Sequence, residues 1–152
     1  MPHYLLQKLE EDPSFVHLRD SSPEASAQLV PGLEDSQRSF LIAALFSGAG
    51  AASLVLTGDI PGAERMYEEL KGFLEEEQVC FFPGKDFFYT GEVLTQSKEI
   101  IQQRITVLER LVLGKKVLVV APVSAVLGKL TPLETWKNKQ LQLRPGHKVE
   151  WK

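Results

Sequence analysis

The chain has 152 residues, 43% hydrophobic and 24% charged, with a net charge of −3. That length and apolar content suit one globular domain with a sizeable core and exclude a wholly disordered chain. The single cysteine, Cys80, excludes an internal disulfide framework, and no apolar run approaches the ~20 residues of a membrane span.

In chain order, Tyr4, Leu5, Leu6 and Leu9 predict a short amphipathic helix over residues 4–10. Pro13 follows, and then Asp20-Ser-Ser-Pro-Glu-Ala-Ser26, a polar stretch that reads as a linker, so residues 1–26 are set apart from a domain proper beginning near Ala27. The N-terminus, Met1-Pro-His-Tyr, lacks the basic start and apolar stretch of a signal peptide, and the expectation is a soluble, cytoplasmic protein. Leu29 and Val30 suggest a short strand, and Arg38 to Phe46, with Leu41, Ile42 and Leu45 on one face, suggests the helix after it.

Between them lies Gly32-Leu-Glu-Asp-Ser-Gln37-Arg38-Ser39, which has the length of the phosphate-binding loop G-x-x-x-x-G-K-S/T. Gly32 and Ser39 are in register, but Gln37 and Arg38 stand where glycine and lysine are needed. A working loop wraps phosphate in backbone N–H groups, so a side chain at the second glycine hinders the approach. Arginine is a wide planar fork and cannot place charge as a lysine does. Glu34 and Asp35 add two carboxylates that repel phosphate, at about 1 to 4 kcal/mol per pair. The reading is a degenerate loop: Gly32, Gln37, Arg38 and Ser39 form a vestigial, inactive nucleotide site, with no catalytic residue, no metal ligand and no cofactor expected. An ordinary strand-turn-helix junction is the plainer alternative.

Gly48 and Gly50 end the helix, and Ser53-Leu-Val-Leu-Thr57 reads as a strand covered on both faces. Asp59 and Pro61 open an acidic helix through Glu77; Asp59 is read as its N-terminal cap rather than a metal-binding acid. Val79 to Phe82 is a further buried strand containing Cys80, expected to be a core thiol. Ser97 to Leu113 is a helix with Ile101, Ile105, Leu108 and Val112 on one stripe and Gly114 as its C-terminal cap. Val117 to Val120 completes the series. Strands alternating with helices predict an α/β fold with a mostly parallel sheet. The histidines, His3, His17 and His147, are too dispersed to suggest a metal site.

Charge is uneven: residues 1–77 carry 14 acidic and 5 basic side chains, and residues 78–152 carry 6 and 12. A basic second half could face nucleic acid, although a solvated surface is the simpler account.

Four segments taken together resemble one family. The degenerate loop, Leu56-Thr-Gly-Asp-Ile-Pro-Gly-Ala-Glu-Arg65, Phe82-Pro-Gly-Lys-Asp86, and Ile101-Gln-Gln-Arg104 with Leu118-Val-Val-Ala-Pro-Val-Ser-Ala125 are similar, in order and spacing, to the N-terminal region of bacterial transcription-repair coupling factor (Mfd). Gly58 replaces a proline of the family pattern. The resemblance covers residues 27 to about 146 and implies a RecA-like module over residues 27–140, akin to the first domain of the damage-verifying helicase UvrB but without ATPase activity. Residues 141–152 resemble the start of an inserted UvrA-contacting domain, so the chain is expected to be the opening piece of a longer protein. The implied partners are UvrA and RNA polymerase, reached through the parent protein, with DNA engaged by the parent's ATP-driven translocase and no membrane contact.

The helicase inserts a long aromatic hairpin after the segment matching Phe87-Phe-Tyr89, and the seven residues between Tyr89 and Ser97 cannot hold one. Phe81, Phe82, Phe87, Phe88 and Tyr89 are accordingly read as core rather than as a base-stacking platform. Three functions stand: a non-hydrolysing scaffold for repair-factor recruitment or autoinhibition, a working nucleotide-binding fragment using Arg38 and Ser39, and a basic-faced DNA-binding module.

Overall fold

The computed structural model describes residues 4–21, 27–84, 88–90, 93–95, 98–132 and 134–136, with the backbone alone at 88–90 and 93–95. Three strands form one all-parallel sheet in the order β1-β5-β2: β1 (Ser53–Thr57), β2 (Val79–Phe81) and β5 (Leu118–Pro122). Val55 lies opposite Val120, and Cys80 opposite Val119.

Helices pack on both faces, which is why β5, the central strand, is apolar at every position and buried throughout. On one face Val79, Leu118 and Val120 join Ala43, Ala44 and Phe46 of α3 (Asp35–Gly48) and Ala63 and Leu70 of α4 (Ile60–Phe73). On the other, Cys80, Phe82, Val119 and Ala121 meet Val107 of α5 (Lys98–Val112) and Ala125 of α6 (Val123–Val126). Cys80 is a buried thiol, as its apolar neighbours suggest.

The N-terminal segment holds two helices, α1 (Tyr4–Leu9) and α2 (Pro13–Asp20), where the apolar spacing predicts one. Asp12 caps α2, its carboxylate accepting from the Ser14 and Phe15 amides, and Pro13 occupies the first turn, where its missing N–H costs nothing. Leu6 and Phe15 enter the first core cluster. Residues 22–26 of the expected linker, and the whole of 141–152, lie outside the described residues.

Three further expectations change. No strand forms at Leu29 and Val30: Leu29 is 89% exposed and Pro31 follows, so the segment has neither a core to face nor a full set of donors. The β1 strand is covered on one face only. Leu54 and Leu56 share the side of the sheet that Val119 and Ala121 occupy, yet remain about half exposed because α5 packs over β2. The buried stripe of α5 is Arg104 and Val107 with half-buried Leu108, while Ile101 and Ile105 are exposed. Where no long hairpin is expected, β3 (Phe88–Thr90) and β4 (Val93–Thr95) pair as a short antiparallel one, with Tyr89 opposite Leu94. Phe82 is buried and Phe81 partly so; the side chains at 87–89 lie outside the described residues.

Asp59 is the N-terminal cap of α4, its Oδ1 accepting from the Gly62 amide at 2.7 Å, and Gly114, at φ +68°, ends α5 in the left-handed conformation glycine tolerates. Asp59→Ala is expected to cost about 1 kcal/mol in urea unfolding. Gly62→Ala should gain less than the ~1 kcal/mol usual for a helical glycine, because its Cβ would stand 2.7 Å from that same carboxylate oxygen, which must shift.

Candidate functional site

The segment from Gly32 to Ser39 is folded into a helix start. Gly32 takes φ +83°, turning the chain, and α3 begins at Asp35, two residues ahead of Gln37. Glu34 is the N-terminal cap, and its side chain and that of Gln37 form a reciprocal capping box in which Gln37 Oε1 accepts from the Glu34 amide at 3.0 Å. A phosphate cradle needs the amides around positions 37–39 turned outward. Here the Arg38 amide already donates to the Glu34 carbonyl at 2.9 Å, inside the helix.

The side chains are equally committed. Arg38 Nε donates to the Leu33 carbonyl at 3.1 Å, and its terminal nitrogen lies 3.2 Å from Asp35 Oδ1. Ser39 is fully buried, and its hydroxyl donates to the Glu69 carboxylate of α4, with Met66 Sδ at 3.1 Å and the Asp35 carbonyl at 3.3 Å also close. A hydroxyl has one proton, and a carboxylate is the strongest of those acceptors, so the bond ties α3 to α4. The structure therefore sets Gln37, Arg38 and Ser39 in the opening turns of α3, each meeting the protein's own groups, with Gly32 at the turn before them.

Beside them a cleft of about 380 Å³ opens at the C-terminal end of β1, where open α/β sheets bind ligands. Asp35, Asp59 and Glu69 oppose Arg38 and Arg65 on its walls, and Thr57 Oγ1 donates to the Asp59 carbonyl at 2.8 Å. Carboxylates outnumber cations, so the walls do not favour phosphate. Among the described residues, no three histidine, cysteine or acidic side chains stand together as a metal centre. No helix there is long and apolar enough to cross a membrane.

A second constellation draws on the quoted segments around Phe82, Arg104 and Ala125, whose residues have no assigned role in the sequence reading. Arg104, on α5, is 6% exposed, and its fork donates to the carbonyls of Pro83 and Ala125, the latter at 3.3 and 3.4 Å. The guanidinium carbon stands 3.9 Å from the Phe82 ring centroid. Burial holds its pKa below the ordinary guanidinium value, and no carboxylate faces it among the described residues. An arginine set among Ile101, Ile105 and Leu108 is the signal that points to it. Arg110 and Lys116 are also tied to backbone, donating to the carbonyls of Glu77 at 2.9 Å and Ser47 at 3.0 Å. Three cations of the basic second half thus serve the fold.

The chain is 32% identical over 123 residues to the transcription-repair-coupling factor of Bacillus subtilis (strain 168), covering 81% of this chain and 10% of that protein. It is 31% identical over 142 residues to the transcription-repair-coupling factor of Staphylococcus aureus (strain USA300), covering 93% of this chain and 12% of that protein. It thus spans about a tenth of the length of the curated relatives it matches. No family profile matches the chain, and no solved structure does.

Proposed function

Since the chain is homologous to one region of the transcription-repair-coupling factors, we propose that it acts in DNA repair as a RecA-like, UvrB-like scaffold that neither binds nor hydrolyses nucleotide. Its parent is read as a protein that couples stalled RNA polymerase to repair, with UvrA as the recruited factor and the motor and its ATP elsewhere in the polypeptide. The observation that supports a silent nucleotide site is the sealed start of α3, where a capping box fills the helix N-terminus and Ser39 is buried against Glu69. Binding nucleotide there would require breaking the capping box, the Arg38–Asp35 pair and the Ser39–Glu69 bond, each replaced by contacts to a doubly charged phosphate beside Asp35. A scaffold role needs only the packed interior that those bonds complete.

Calorimetric titration tests both parts of the proposal. Mg²⁺-ATP at millimolar concentration should give no binding heat with the wild-type chain or with Ser39→Ala; saturable Mg²⁺-dependent binding that Ser39→Ala abolishes would overturn the silent site. UvrA should bind the equivalent region of the Bacillus subtilis relative only when it carries about 80 further residues, the size of a small domain. UvrA binding to neither form would overturn the recruitment role and leave the interior contacts as they stand.

A further inference from the structure

β2 lies at an edge of the sheet, and its outer side has no strand partner among the described residues. The Phe82 amide donates inward to the Val120 carbonyl at 2.8 Å, so the alternation of a parallel ladder turns the N–H and C=O of Val79 and Phe81 outward. An exposed row of such groups is a template for another strand.

The space in front of that edge is already shaped. Two hollows, of about 530 and 430 Å³, lie between α4 and α5 and share Tyr67, Phe81 and Gln103 as walls, so they form one groove along β2. Its α4 wall carries Tyr67, Glu64 and Glu68; its α5 wall carries Gln102, Gln103 and Thr106. Glu76 and Glu99 complete four carboxylates on the rim. Against them stand Lys71, held at 3.2 Å from Glu68 and 3.9 Å from Glu76, and Arg110, held by the Glu77 carbonyl and Cys80 Sγ. Among the described residues the rim is therefore net acidic, with both of those cations already engaged.

We infer that this groove binds an extended, basic segment of a separate polypeptide, which adds a strand to the β2 edge and places its lysines or arginines against Glu64 and Glu68. Main-chain hydrogen bonds would supply the affinity and the acidic wall the selection, the division of labour seen wherever peptides extend a sheet. The groove lies across the sheet from the β1 cleft and shares no residue with it.

The test uses a seven-residue peptide alternating lysine with valine, blocked at both ends, and two versions N-methylated on one or the other alternate set of residues. On adding the parent peptide, the Val79 and Phe81 amide resonances should shift, and anisotropy should report saturable binding. One methylated version should bind about tenfold more weakly or worse while the other holds, because only one set of amides faces β2. The Glu64→Lys/Glu68→Lys variant, both positions being on exposed helix surface, should also weaken the parent peptide about tenfold. Equal behaviour of the two methylated peptides, unmoved Val79 and Phe81 amides, or undiminished binding by the charge-reversed variant would overturn the inference.

Discussion

Arg104→Ala is expected to lower the unfolding free energy by about 2 to 4 kcal/mol, a large part of the stability of a domain this size. The substitution removes a fork that satisfies the Pro83 and Ala125 carbonyls and a cation lying on the Phe82 ring, and it opens a void beside Val107. Those carbonyls sit on segments leaving β2 and β5, so one side chain fastens α5 to the chain just beyond both strands. Urea unfolding of Arg104→Ala beside Arg104→Met separates the two losses. Methionine refills the volume without donating, so a Met variant nearly as unstable as the Ala variant assigns the effect to the carbonyls. A Met variant close to wild type would assign it to packing and would contradict a fastening role for the guanidinium.

Phe46→Ala should cost about 3 to 5 kcal/mol, the usual range for a fully buried phenylalanine. Phe46 is 2% exposed in the last turn of α3, among Ala43, Leu118 and Val120 of the first core cluster. The Lys116 ammonium stands 5.1 Å from its ring centroid and donates to the neighbouring Ser47 carbonyl, so the ring also seats the chain leading into β5. Phe46→Leu, which keeps most of the volume, should lose under half as much. An unchanged urea m-value would show that the loss is in the folded state and not in the compactness of the unfolded chain.

What was legible in the residues followed from local chemistry. Asp59 before Pro61 reads as a cap because a short carboxylate can reach an amide three residues on, and it does so. Gly114 reads as a helix end because glycine takes φ +68° without the strain most other residues meet there. The apolar runs at 53–57, 79–82 and 117–120 read as parallel strands because nothing polar interrupts them. The errors came from what lies beside an element. Leu29-Val30 has strand composition, but strand formation depends on a neighbour, and Pro31 discourages one. The stripe of α5 was misplaced because the periodicity counts only apolar residues, whereas an arginine with carbonyls to hold sits at the centre of the buried face. At the candidate site, the mismatched residues Gln37 and Arg38 were visible, but their employment was not: that Gln37 caps its own helix, and that Ser39 meets a glutamate 30 residues away, depends on how α3 and α4 pack.

The strand order has a consequence for how the chain is made. The strand that joins the sheet together, β5, is the last of the three in the sequence, and β1 and β2 touch each other only through it. As the chain leaves the ribosome, β1 appears about 65 residues ahead of its partner, which at ~5 to 20 residues per second is a delay of roughly 3 to 13 s. Throughout that interval Leu54, Val55 and Leu56 have helices nearby but no ladder to join. A nascent chain arrested anywhere between Val112 and Leu118 would carry every helix from α1 to α5 and none of this sheet.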